Sequence, residues 1–153
     1  MAIREAKGSE ILILEELAQR CFDKFSFKEK GVSYCKSSFI LRLKEFINSS
    51  LFQCLVYEED DNVIGFSIVS LIPGFYDLSV PQVNEIGMQA DPSLPKVKQG
   101  KIIISFIRHI ENVGKKLGAK IVGFSISPDF DISNYLMRNG YFLTDKVYMK
   151  GVV

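Results

Sequence analysis

The sequence predicts a single layered α+β (α/β) domain, and three observations carry that prediction. Stretches with apolar residues in strand-like runs alternate along the chain with stretches at helical spacing. No linker, repeat or low-complexity segment divides the 153 residues, so residues 1–153 read as one domain with room for its own core. Hydrophobic residues make up 47% and charged residues 24%, a globular rather than a disordered balance.

The elements follow in order. "AIRE" is a short strand. "GSEILILEELAQRCFDKF" is a helix with Ser9 placed to cap it and Leu14, Leu17, Ala18, Cys21 and Phe25 on its apolar face. In "KSSFILRLKEFINSS" a second helix is marked by Phe39, Ile40, Leu43, Phe46 and Ile47. "FQCLVYEEDDNVIGFSIVSLI" holds two β-branched and aromatic runs split by an acidic turn, a hairpin. "PGFYDLSVP" is a loop by its Pro and Gly content, and "QVNEIGMQAD" is a strand ended by Pro92. A long helix is expected from about Gly100 to Leu117, its core face made of Ile103, Phe106, Ile107, Ile110 and Val113 and its end marked by Lys115, Lys116 and Gly118. "AKIVGFSIS" lacks polar alternation and reads as a central strand covered on both faces. "DISNYLMRNG" is a short helix closed by Gly140, and "YFLTDKVYMKGV" is a last strand. The order is β-α-α-β-β-β-α-β-α-β, a mixed central sheet with helices on both sides.

Composition excludes several functions. The formal net charge is +1, so no global basic field is available to bind nucleic acid, and any anion site must be local. Cys21, Cys35 and Cys54 are odd in number and far apart, with one histidine in the chain, which argues against a metal site and a disulfide scaffold. They read as buried, reduced thiols. No apolar run approaches the ~18 residues of a membrane span, and the N-terminus has no apolar signal core. A cytoplasmic protein without membrane contact is expected.

Residues 91–106, "DPSLPKVKQGKIIISF", pose a local problem. Lys96, Lys98 and Lys101 crowd the start of a helix, where the macrodipole prefers anions, and no Asp or Glu lies between Asp91 and Glu111. Either a bound anion neutralises them at the helix N-terminus, or they are solvated charges on a loop.

The element order and several stretches resemble the GNAT superfamily of acyl-coenzyme A-dependent N-acyltransferases. The resemblance covers nearly the whole chain: "IREA", "NVIGFSIV", "NEIGMQADP", "KVKQGKIIISFIRHIENVGKKLGAKIVGFSIS" and "NYLMRNGYF". It implies a mostly antiparallel sheet, acetyl-coenzyme A as co-substrate, and acetyl transfer to a primary amine of a small molecule or peptide by a monomer or homodimer. Both family motifs are altered. The phosphate loop, usually Gln/Arg-x-x-Gly-x-Gly/Ala, keeps Gly100 but has Ile102 at the second small position. The closing Leu-Tyr-x-x-x-Gly-Phe keeps Gly140 and Tyr141 but has Leu136 for its tyrosine, with Tyr135 one residue early, about 100° around the helix.

By resemblance, the coenzyme A pyrophosphate falls to Lys96, Lys98, Gln99, Gly100 and Lys101, and the thioester arm to main-chain groups near Met88, Gln89 and Ala90. Asp129 either contacts the pantetheine arm or caps the short helix with Asp131. Glu85, the one carboxylate in the body of its strand, is the candidate general base, against an exposed or ion-paired strand residue. Tyr135 is the nearest candidate acid, with core packing as its alternative. His109, Tyr141 and Tyr148 read as surface or packing residues. The altered motifs leave a catalytically silent binding, regulatory or assembly protein as the alternative function. The loops around "FDKFSFKEKGVSYCKSS" and "PGFYDLSVP" carry too little acid to favour polyamine or aminoglycoside acceptors.

Overall fold

The structure, a computed structural model, describes residues 2–24, 32–74, 77–125 and 131–143. Phe25, Phe75, Tyr76, Asp129, Tyr148 and the last strand beyond Leu143 lie outside the described residues.

Among the described residues five strands, β1 (Ala2–Glu5), β2 (Phe52–Glu59), β3 (Asn62–Pro73), β4 (Pro81–Ala90) and β5 (Ile121–Gly123), lie side by side in chain order. The first four are antiparallel neighbours, and β5 joins β4 in parallel. Helices α1 (Ile11–Phe22) and α2 (Lys36–Asn48) cover one face. Helices α3 (Lys96–Leu117) and α4 (Ser133–Arg138) cover the other.

Strand alternation sorts the core into two layers. Leu14, Leu17, Ala18 and Cys21 of α1 and Leu43 of α2 pack on Cys54, Val56, Phe66 and Ile68. Ile102, Ile103, Phe106, Ile107 and Ile110 of α3 pack on Leu55, Tyr57, Val69, Val83 and Ala90. Gly65 of β3 lets α3 come close, because a Cβ there would stand 2.9 Å from Ile102 Cγ2 and 3.0 Å from the carbonyl oxygen of Gln89.

Four expectations change. Ser9 does not cap α1. It lies in a 3₁₀ turn, Gly8–Glu10, where Glu10 reaches back to accept the Lys7 N–H at 2.7 Å and also binds Arg4. Helix α3 starts at Lys96 rather than near Gly100, one turn early, because Pro95 ends the preceding turn and its carbonyl accepts the amides of Lys98 (2.8 Å) and Gln99 (3.0 Å). Among the described residues β5 is three residues long and last in the sheet order, with Ile121 exposed rather than covered. Of the cysteines, Cys21 and Cys54 are buried, but Cys35 is exposed at the start of α2, before the apolar stripe that begins at Phe39. At its far end α3 stops as expected, with Gly118 at φ 72° in the left-handed conformation.

Candidate active site

Among the described residues, the sheet pairing beside β4 is short. Strand β5 pairs with it at three positions, Gln82–Ile121, Val83–Val122 and Asn84–Gly123, and no described residue after Gly123 continues the ladder. At the same level β4 gains a residue. Ile68 faces Gly87 and Val69 faces Glu85, so Ile86 is an extra residue opposite β3, a bulge. The bulge shifts the alternation. Val83 and Glu85 point to the α3 face, and beyond Ile86 it is Met88 and Ala90 that do so. Gln89, opposite Phe66, lies on the α1 face.

Glu85 is therefore buried beside this short pairing, 7% exposed, and one carboxylate oxygen accepts the Ser125 N–H at 3.0 Å. Burial raises its pKa to about 7, against the opposing pull of the Ser125 bond. It is neither an exposed nor an ion-paired strand residue: among the described residues no cation reaches Glu85. Gln89 Oε1 and the Ser67 hydroxyl, which sits opposite Met88, are buried without a hydrogen-bond partner among the described residues. Gly87 borders open space, since a Cβ built there meets nothing within 4 Å.

The lysine-rich stretch forms a second feature. Because α3 is regular from Lys96, Lys98, Gln99, Gly100 and Lys101 are helical residues and not loop residues. Gln99 is buried, and its side-chain amide donates to the Leu94 carbonyl at 2.7 Å. Ile102, 1% exposed, belongs to the core. Lys98 and Lys101 line a cavity of about 350 Å³ with Tyr57, Glu59, Pro95, Val97 and Ile102, on the side of α3 that faces the end of β2. Lys98 is ion-paired there with Glu59, which raises its pKa. In the sequence "EEDDN" reads as a hairpin tip, and neither residue's local pattern holds a signal for this contact.

Tyr135 and Glu85 are not joined by any hydrogen bond among the described residues. The Tyr135 hydroxyl instead accepts from Arg108 Nε of α3 at 3.3 Å, while Leu136 is buried against α3. Tyr141 donates to Glu111, packs edge-on to Phe124 at 5.6 Å, and has its pKa raised by burial and by Glu111. His109 is half-buried, with its pKa lowered by burial and by Lys116.

Solved structures share this architecture. An aminoglycoside N-acetyltransferase, AAC(6')-Iy, in complex with CoA matches at 18% identity over 97% of this chain and 91% of that one, with a TM-score of 0.72. A GNAT family acetyltransferase from Staphylococcus aureus matches at 16% identity, 99% and 98% coverage and a TM-score of 0.67. The chain has the GNAT fold. A transcriptional regulator from Bacillus halodurans superposes on the same GNAT architecture at 13% identity, 97% coverage of both chains and a TM-score of 0.76. No family model matches the sequence, and no curated protein does. Among the described residues, no helix is long and apolar enough to cross a membrane, and no cluster of His, Cys, Asp and Glu could hold a metal ion.

Proposed function

We propose that the chain is an N-acetyltransferase that moves an acetyl group from acetyl-coenzyme A to a primary amine. The observation that carries this reading is Glu85, a buried carboxyl titrating near neutrality where the pairing of β4 and β5 ends. A base with a pKa near the working pH can take a proton from an ammonium group and still be regenerated. Acetyl-coenzyme A supplies the activated acyl group as a thioester. Glu85 accepts the ammonium proton through water, the free amine forms the N–C bond at the carbonyl, the nitrogen gives up its second proton to water, and the C–S bond breaks. The thiolate then takes its proton from solvent. Gln89 supports the fit to the pantetheine arm, because its orphaned buried oxygen can accept an amide N–H of that arm. Met88 and Ala90, on the far side of the bulge, offer main-chain groups to the thioester.

Lys98 and Lys101 are proposed to meet the coenzyme A phosphates at the N-terminal end of α3. Coenzyme A at ~100 times its dissociation constant should stabilise the fold by roughly 2.7 kcal/mol, read as a rise in melting temperature. Lys98→Ala and Lys101→Ala should each weaken that binding by about 10-fold, with the loss shrinking at high salt. A wild type that no coenzyme A concentration stabilises would overturn the reading. The alternative, a binding or regulatory protein of the same fold, is favoured by two observations: Lys98 already has an acidic partner, and α3 is helical from Lys96. Coenzyme A binding with no transfer to any amine would select it.

Tyr135→Phe is expected to leave both coenzyme A affinity and turnover within about twofold, because the hydroxyl is held by Arg108 on an exposed helix face. A loss of ~100-fold in turnover with affinity retained would instead make Tyr135 the acid.

A further inference from the structure

The lysines at the start of α3 already have an anion near them, and it comes from the chain itself. Glu59 is the last residue of β2, paired with Asn62 across a tight turn. The two turn residues, Asp60 and Asp61, both sit in the left-handed region at φ 51° and 61°, the conformation of the tightest hairpin connections. Asn62 Nδ2 braces the turn by donating to the Asp60 carbonyl at 2.7 Å. Alternation then divides the acids between faces. Glu58 turns to Arg4 of β1, while Glu59 turns to Lys98 of α3.

The hairpin thus delivers a carboxylate to the wall of the cavity where Lys98 and Lys101 converge. A carboxylate in that place satisfies the preference of a helix N-terminus for negative charge. It also occupies the ammonium that an incoming phosphate would use. Both partners are partly solvated, with Lys98 39% and Glu59 20% exposed at the side chain, and such a pair shifts an equilibrium by no more than about fivefold. It is strong enough to compete with a ligand and weak enough to be displaced by one.

We infer that Glu59 is a built-in competitor for the phosphate site, and that a phosphorylated ligand enters by taking Lys98 from Glu59. This rests on the coenzyme A reading above and adds to it a residue that sets affinity. Occupancy turns Glu59 from the partner of Lys98 into a like charge beside the phosphate, so this acid tunes the site towards weak, reversible binding. The neighbouring acid Asp60 acts on Lys98 in the same direction.

The test is coenzyme A affinity, measured by calorimetry at low salt, for wild type, Glu59→Gln, Lys98→Met and the double variant. Glu59→Gln should bind about fivefold more tightly than wild type, and the gain should shrink on the Lys98→Met background, because the exchange runs through Lys98. Its melting temperature without ligand should fall by no more than about 4 °C, opposite in sign to the gain in affinity, which separates the effect from folding. If wild type binds and Glu59→Gln binds no better, this inference falls and the coenzyme A reading stands. A gain of equal size with and without Lys98 would mean plain repulsion and would also overturn the exchange. If neither wild type nor Glu59→Gln binds, both fall together.

Discussion

Replacing Glu85 by Gln should cost ~100-fold or more in acetyl transfer while making the protein more stable at alkaline pH. The two effects share one cause. Folding buries the carboxyl and raises its pKa to about 7, from an unperturbed value near 4.5. Between those two values the folded chain holds a proton that the unfolded chain has released. Stability from this group is therefore complete below the lower value and is lost as pH rises through the upper one. At about 1.4 kcal/mol per unit, the loss amounts to about 3 kcal/mol by pH 8. The Gln variant has no proton to lose, and its amide oxygen can still accept the Ser125 N–H. Its melting temperature at pH 8 should exceed that of the wild type by on the order of 10 °C, with the two converging near pH 5. Turnover of the wild type should rise with pH through about 7, and this limb should flatten in the variant. Full turnover in Glu85→Gln would assign the residue to structure alone. Melting curves that stay parallel from pH 5 to pH 8 would show that the carboxyl is not held protonated.

The second large effect is expected at Phe106. This side chain is fully buried in the layer between α3 and the sheet and meets Tyr57 edge-on, with ring centroids 6.1 Å apart at 70°. Phe106→Ala should destabilise by about 4 kcal/mol, the middle of the range for losing a buried aromatic ring. The site has little means of collapsing into the space. Ile102 and Phe106 both rest on Gly65, where an added Cβ would stand 2.9 Å from Ile102 and 3.3 Å from the Phe106 ring. A urea titration should show the midpoint falling with little change in slope. Phe106→Leu, which keeps most of the volume, should cost less than half as much. A cost below about 1 kcal/mol for the alanine variant would mean that α3 does not pack on β3 as described.

Those two residues also mark how far the sequence could be read. The core face of α3 was legible because Ile103, Phe106, Ile107 and Ile110 recur at helical spacing and nothing else in the chain competes for the pattern. Its start was not legible. Gly100 and three lysines resemble a loop, and only the hydrogen bonds to the Pro95 carbonyl reveal that the helix has already begun. Glu85 stood out as the sole carboxylate within its strand, but its direction did not. Alternation in "NEIGMQAD" gives no sign that Ile86 is an extra residue, which is a property of the pairing with β3 and not of β4 alone. Glu59 was out of reach for another reason. Its partner Lys98 lies 39 residues away, and an ion pair across that distance leaves no periodic trace.

Ile86 makes β4 a strand of two parities. Up to Glu85 the odd-numbered residues belong to the α3 face, and after the bulge the even-numbered ones do. The two halves are therefore free to vary under different rules. Before the bulge Val83 and Glu85 face α3, and beyond it Met88 and Ala90 do so while Gly87 and Gln89 face the other layer. The side chain of Ile86 itself is half exposed, so its identity matters far less than its presence. Substitutions there should be tolerated where the deletion of a single residue would not. Removing it would slide Gly87 to Ala90 by one place and exchange their faces, sending Gln89 into the apolar layer under α3. In this strand the count of residues, more than their chemistry, is what inheritance must preserve.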